Sequence, residues 1–216
     1  MRHREPSERL PRGALRIVAI GILILAYACL SHFSNTRGLH RLGAILAIAP
    51  PAALLLTVLR HVLPAYIVLL AAALGALLLY DSWPILEKNF SVVYLLQELG
   101  MYGLLAAGFG RSLRAGEVAL CTRLADKLHG PLSAAELLYT RRVTLAWTLF
   151  FALMGVAIAV LYFVAPRAVW SAFVNFVATP LIVAMFAAEY AVRGHVLPHT
   201  ERRGIWATMR VFFASR

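Results

Sequence analysis

The stretch NFSVVYLLQELGMYGLLAAGFGRSLR (residues 89–114) decides how the whole chain is interpreted. It is apolar over about 20 positions, the length that an α-helix needs to cross a bilayer. Two adjacent polar residues, Gln97 and Glu98, interrupt the apolar run, and two arginines follow it. The stretch therefore predicts a transmembrane helix that carries a carboxyl group inside the membrane.

The rest of the chain has the same apolar character. Its 216 residues are 61% hydrophobic and 14% charged, and its mean hydropathy is +0.76. A soluble domain of this length cannot bury so much apolar surface, and only helices satisfy their own backbone groups in lipid. We therefore predict an all-α, polytopic helical membrane protein with about six transmembrane helices, at 14–30, 42–59, 62–80, 90–109, 143–165 and 169–190.

The distribution of positive charge predicts the orientation of these helices. A net charge of +11 would suggest nucleic-acid binding in a soluble protein, but in membrane proteins Lys and Arg collect on the cytoplasmic side. With the N-terminus inside, 17 of the 21 basic residues fall on one side, and the other side holds only Arg37, Arg41, Lys88 and Arg167. We predict that both termini are cytoplasmic and that the partner is a lipid bilayer rather than nucleic acid.

Three regions follow from this topology. Residues 1–13 form a basic cytoplasmic tail, residues 14–193 form the six-helix membrane domain, and residues 194–216 form a second basic tail, either an interfacial helix or an unstructured segment. The domain contains one long cytoplasmic loop at 110–142. In that loop, Leu120, Leu124 and Leu128 recur every four residues, which predicts an amphipathic helix. A capping box of Ser133 and Glu136 predicts the start of the next helix, which runs on into the fifth span.

The polar residues of the fourth span leave two uses open. Tyr94, Glu98 and Tyr102 share one helix face, and a seam of small residues lies opposite, so we expect neighbouring helices on both sides. A carboxyl group in lipid either makes an interhelical hydrogen bond worth about 1 kcal/mol or marks a functional site. Gln97 belongs to the same constellation. The seam consists of Gly100, Gly103, Ala107 and Gly110.

A second constellation lies on the sixth span. Asn175, Glu189 and Arg193 fall close to one helical stripe, and Glu189 and Arg193 have the spacing of an i,i+4 ion pair. The pair either anchors the helix or shares a head-group or substrate site with Arg141 and Arg142.

The common catalytic sequence motifs are missing from this chain. It contains no Gly-rich phosphate loop, no CxxC, no HExxH and no Gly-x-Ser-x-Gly. We predict no metal and no cofactor, and we leave enzymatic activity open without a motif that indicates it.

Several segments resemble a known family. EKNF, LLQELGMYGLLAAGFGRSLRAG, LSAAELLYTRRVTLAWTLFF, WSAFVNF and MFAAEYAVR, between residues 82 and 193, resemble bacterial inner-membrane proteins encoded among genes for aryl-polyene (xanthomonadin-type) lipids, beside acyl carrier proteins and ketosynthases. The first three spans carry no part of the resemblance. The matching residues are Glu87, Asn89, Phe90, Gln97, Glu98, Phe109, Gly110, Arg111, Tyr139, Thr140, Arg141, Thr144, Trp147, Glu189, Tyr190 and Arg193.

The resemblance implies a multi-pass protein of the bacterial inner membrane that serves as an accessory or scaffold in lipid or aryl-polyene biosynthesis. Its positive cytoplasmic face would attract an acyl carrier protein or lipid head groups, and Glu87 and Asn89 are candidates in the outer loop. One alternative is a small transporter or flippase for an amphiphile, with Glu98 and Glu189 along its path. A membrane-embedded enzyme is the third. The candidate binding cations are Arg111, Arg114, Arg123, Arg141, Arg142 and Arg193.

Overall fold

The computed structural model describes residues 12–196, and this range folds into helices without a strand. The helices are α1 (Arg12–Arg37), α2 (His40–Val62), α3 (Ala65–Lys88), α4 (Phe90–Arg111), α5 (Leu120–His129), α6 (Ala134–Val164), α7 (Arg167–Ala172), a π-helical turn (Phe173–Val177) and α8 (Ala178–Val196). The last three join into one span, Arg167–Val196. The predicted tails at 1–13 and 194–216 lie outside this range, except that residues 12–13 and 194–196 continue α1 and α8.

The prediction of an all-α polytopic membrane protein is confirmed. Six helices of the described range are long and apolar enough to cross a membrane. Their outward surfaces carry large apolar side chains, such as those of Leu69, Leu104 and Phe163, which are mostly exposed. Lipid is the solvent that such a surface requires.

Two helices continue past the predicted ends of their spans, at residues 30 and 80. α3 runs through the predicted outer loop to Lys88 and includes Pro84; beyond the apolar section, water or lipid head groups can bond the carbonyl that this proline leaves free. α1 continues to Arg37, where Gly38, with φ +64°, ends it and the Leu39 N–H bonds the Ser34 carbonyl. The end of the apolar run therefore does not mark the end of either helix.

The described chain divides into two compact units. The first comprises the described part of residues 1–105 together with 151–179. In it, α2 and α4 approach closely where Gly43 meets the ring of Phe90, which also contacts His40 and Tyr94 edge to face. Gly43 leaves the space that this buried ring fills.

The second unit comprises residues 106–150 and the described part of 180–216. In it, the buried Trp147 of α6 packs against Phe109 and Phe186, with ring centroids 6.4 Å and 4.6 Å away. The predicted amphipathic helix is present as α5. The capping box is also confirmed, since the Ser133 N–H donates to Glu136 Oε2 at 2.8 Å and α6 runs on from Ala134 without a break.

We predict that Gly43→Ala destabilises the protein by about 1–3 kcal/mol, because the new Cβ overlaps the buried ring of Phe90. Gly75→Ala is the matched control, since no described residue comes within 4 Å of its Cβ position on α3. The measurement is thermal unfolding of both purified variants in detergent. Equal unfolding temperatures for the two variants would contradict the close packing of α2 and α4.

Candidate functional site

Polar side chains line one face of the second half of α1, inside a candidate membrane span. Ser31, Ser34 and Asn35 are buried there, and Tyr27 and His32 are half-buried. Burial of polar groups in an apolar environment requires hydrogen bonds. The partners of these side chains therefore show what the face does.

The α1 face bonds to two other helices of the first unit. Ser31 shares a hydrogen bond of 3.2 Å with the Tyr94 hydroxyl, and Asn35 Oδ1 accepts one of 3.1 Å from Ser91, both on α4. His32 Nδ1 is hydrogen-bonded to Ser171 Oγ at 3.1 Å, on α7. We call the bonded set the α1 polar cluster; its members are Ser31, His32, Asn35, Ser91, Tyr94, Ser171 and Asn175, whose side chain donates to the Ser171 carbonyl.

Two prolines in α2 explain the position of Gln97. A proline has no N–H, so it leaves the carbonyl four residues earlier without its helical partner. Pro50 and Pro51 therefore free the carbonyls of Leu46 and Ala47. The Tyr27 hydroxyl donates to the first at 3.1 Å, and Gln97 Nε2 donates to the second at 2.8 Å. Gln97 thus joins α4 to α2, and its role is structural.

Glu98 lies beside Gln97 but has no such partner. Its side chain is half-buried, and no hydrogen bond or ion pair joins its carboxyl group to any residue within 12–196. Tyr94, on the same helix face, bonds Ser31 instead, and the buried Tyr102 packs against Gly155 and Phe151. The carboxyl group is therefore not part of the hydrogen bonding that holds these helices together.

The predicted small-residue seam of α4 does not pack as expected. Gly100 and Gly103 are exposed, and a Cβ at either position would meet no atom of the described chain within 4 Å. Gly110 is the exception, with Thr148 of α6 3.3 Å from its Cβ position. The expected neighbour on the small-residue side is therefore found only at Gly110, and within residues 12–196 the rest of the covered surface of α4 is the Tyr94 and Tyr102 face.

Glu189 in the second unit has a different partner from the predicted one. The Tyr139 hydroxyl of α6 donates to both the Glu189 carboxylate and its carbonyl oxygen, at 3.2 Å each. Arg193 is half-buried and forms no ion pair within the described chain, so the predicted Glu189–Arg193 pair is wrong. The interhelical bond replaces the ion pair within α8.

Hydroxyl groups also attach α5 to α6. Thr144 is fully buried and accepts the Cys121 N–H at 3.2 Å, and Thr122 is 2.7 Å from Thr140. Burial is the main reason that the pKa of the Cys121 thiol is raised, so it stays protonated and is not an activated nucleophile.

The predicted binding cations fall into two groups. Arg123 contacts Glu117 at 3.9 Å and donates to the Val118 carbonyl, and Arg141 donates to the Leu113 carbonyl at 2.8 Å. The other exposed arginines among the predicted binding cations form no ion pair with any residue from 12 to 196; they are Arg111, Arg114 and Arg142. We call these three the free arginines.

The predicted outer-loop candidates have local partners. Glu87 forms an ion pair of 3.3 Å with the exposed Arg41, a surface contact worth at most about 1 kcal/mol. Asn89 donates to the Ile85 carbonyl of its own helix. Within the described residues, no three His, Cys, Asp or Glu side chains are grouped as a metal site requires.

Gln97→Leu should cost about 1 kcal/mol in free energy of unfolding, because the Ala47 carbonyl loses its donor. We predict that the cost disappears in a Pro51→Ala background, where the residue 51 N–H bonds that carbonyl within α2. The readout is a double-mutant cycle from unfolding curves.

Pro50→Ala is the matched control for this cycle, because its N–H restores a bond to the Leu46 carbonyl, which Gln97 does not reach. Additive effects of Gln97→Leu and Pro50→Ala are expected. Additivity with Pro51→Ala as well would show that the Gln97 bond does not replace a missing helical one.

Comparisons with family models, with curated proteins and with solved structures found no match. The description of the chain as a multi-pass helical membrane protein rests on the length and composition of its helices.

Proposed function

We propose that this protein is a non-catalytic accessory of a lipid-assembly pathway of the aryl-polyene type in the bacterial inner membrane, and that it binds an acyl carrier protein at its cytoplasmic face. The observation that carries the proposal is the set of free arginines, Arg111, Arg114 and Arg142. Each is exposed and lacks a carboxylate partner within residues 12–196. Uncompensated cations of this kind attract an acidic protein surface.

The positions of these arginines fit a partner that approaches from the cytoplasm. Arg111 is the last residue of α4, Arg114 follows in the connection to α5, and Arg142 lies in the third turn of α6. The predicted positive-inside topology supports a cytoplasmic position for all three. An acyl carrier protein works on that side, so it meets these cations without crossing the membrane.

Two features support a scaffold rather than an enzyme. The polar groups of the spans mostly bond other helices, as Gln97 does with Ala47 and Tyr139 with Glu189. The half-buried Cys121 has a raised pKa, which disfavours a nucleophilic role. Tyr139 and Glu189 both belong to the family-like segments, so that resemblance includes a helix–helix contact.

The proposal predicts that Arg111→Glu, Arg114→Glu and Arg142→Glu together weaken carrier binding at least tenfold, because attraction becomes repulsion. Binding of the pathway's acyl carrier protein is measured on the full chain in phosphatidylcholine nanodiscs, at low and at high salt. Binding of the unaltered chain should fall as salt rises. Lys88→Glu is the control: it reverses an exposed cation on the side predicted to be periplasmic and should leave binding unchanged.

Lipid head groups could occupy the same cations. Comparison of neutral nanodiscs with nanodiscs that contain phosphatidylglycerol distinguishes the two ligands. A carrier-binding site binds the acyl carrier protein in neutral lipid, whereas a head-group site does not require the carrier protein. No carrier binding to the unaltered chain in neutral lipid at low salt would contradict the proposal.

A second candidate function, transport of an amphiphile, is favoured by polar groups of the first unit that have no hydrogen-bond partner among residues 12–196. The half-buried Glu98 carboxyl group is one. Another is Trp170 Nε1, which is buried without a hydrogen-bond acceptor in the described part of the chain. An intramembrane ionisable residue often marks a substrate or ion path.

Under this second candidate, Glu98→Gln abolishes flipping of a fluorescent lipid in reconstituted vesicles without lowering the unfolding temperature. Glu87→Gln is the matched control, because that carboxylate already pairs with Arg41 at the surface. Unchanged flipping by Glu98→Gln, or no flipping by the unaltered chain, would exclude a path through Glu98.

A further inference from the structure

α5 presents two faces with different surroundings. Thr122 is buried and Cys121 is half-buried, and both bond α6 as described above. The three leucines of the helix lie on another face and are exposed: Leu120 at 37%, Leu124 at 59% and Leu128 at 51%. The sequence periodicity predicted this apolar stripe, but the structure does not use it to attach the helix.

The contacts of α5 fix it at the level where the membrane begins. The Cys121 N–H bonds Thr144, which lies inside the candidate span Ala134–Val164 and at the start of the sequence-predicted span 143–165. Eight residues connect α4 to α5 and four connect α5 to α6. Such short connections hold the whole helix near the ends of the two spans.

The charges of α5 lie where a helix at a lipid surface needs them. At 100° per residue, Lys127 and Arg123 fall immediately beside the leucine stripe, and Thr122 falls on the far side of the helix. Both cations are exposed. Long basic side chains in this position keep their stems along the apolar boundary and their charges among lipid phosphates.

The first turns of α6 also expose leucines. Leu137 and Leu138, in its first two turns, are 46% and 53% exposed. They lie three and two residues before Thr140, the residue that contacts Thr122 of α5. α5 is thus attached to a helix that enters the membrane and that exposes apolar side chains of its own at the same end, and a bilayer would cover such side chains on both helices.

We infer that α5 is an interfacial anchor that inserts Leu120, Leu124 and Leu128 into the boundary of an anionic lipid leaflet, with Arg123 and Lys127 at its phosphates. An anionic leaflet offers both an apolar region and negative charge at the depth that Thr144 sets. An acidic protein would satisfy the cations and leave the leucines in water. This inference does not depend on carrier binding, because none of the free arginines belongs to α5.

Spin-label accessibility tests the anchor on the full chain in vesicles of mixed phosphatidylcholine and phosphatidylglycerol. A label is attached at Leu124→Cys, in a background that carries Cys29→Ser and Cys121→Ala. We expect the ratio of oxygen to nickel-chelate collisions to be several-fold higher at 124 than at the matched control Asp126→Cys, on a polar face of the same helix. Positions 29, 124 and 126 are exposed, and Cys121 is half-buried. Folding of each labelled variant is therefore checked by circular dichroism.

Two results would overturn the inference. Ready access of the nickel chelate to the label at 124 would place the leucines in water. Protection from both oxygen and nickel would mean that protein, either a second copy or another segment, covers them.

Lipid charge provides an independent arm. The oxygen-to-nickel ratio at 124 should differ between mixed vesicles and phosphatidylcholine vesicles, and Lys127→Gln should reduce that difference because it removes a phosphate contact. Lys127 is chosen for this substitution because Arg123 is already bonded to Val118. A ratio that is the same in both vesicle types for the unaltered helix would contradict the anionic component. Carrier binding by the free arginines would be unaffected by any of these outcomes, so failure of the anchor is distinguishable from failure of the proposed function.

Discussion

A backbone carbonyl in hydrocarbon needs a hydrogen-bond donor, and the first unit depends on how the chain meets this requirement in α2. Pro50 and Pro51 remove two helical donors, so α2 alone would present two bare acceptors to lipid. Tyr27 from α1 and Gln97 from α4 supply the replacements. The two bonds join α2 to α1 and to α4. They also explain why a strongly polar amide lies in the middle of an apolar span.

The remaining polar groups fall into two classes: those that bond one helix to another, and those that form no such bond and are available for binding. Ser31, Asn35 and Tyr94 hold the first unit, while Tyr139 and Thr144 hold the second. Glu98, the free arginines and the leucine stripe of α5 take no part in this bonding. These three features are therefore the ones available for function: Glu98 in the membrane, the free arginines at the charged surface and the leucine stripe at the lipid boundary. The carrier-binding proposal uses the second place and the interfacial anchor uses the third.

Much of the fold was predictable from the sequence, because the spans are set by apolar length and the capping box by two residues. The ends of α1 and α3 were not, since Ser34, Asn35 and Pro84 resemble loop residues until their hydrogen bonds are known. The four-residue spacing of Tyr27, Ser31 and Asn35 did hold a signal of a polar face. Pro51 likewise indicated a free carbonyl at Ala47. Neither signal could name the partner helix, because pairing between distant segments depends on packing that a local pattern does not contain.

The bond between Gln97 and the Ala47 carbonyl can be measured directly, because Gln97 is the only glutamine in the chain. The protein is labelled with ¹⁵N in the glutamine side chain and with ¹³C in the alanine carbonyls, and it is reconstituted in bilayers. Dipolar-recoupling solid-state NMR then measures how far the alanine carbonyl carbons dephase the single ¹⁵N side-chain amide signal. Strong dephasing is expected, as a 2.8 Å hydrogen bond requires, and it should vanish in Ala47→Gly, which keeps the carbonyl but loses its label. Absence of dephasing in the unaltered protein, or dephasing that survives Ala47→Gly, would contradict the account.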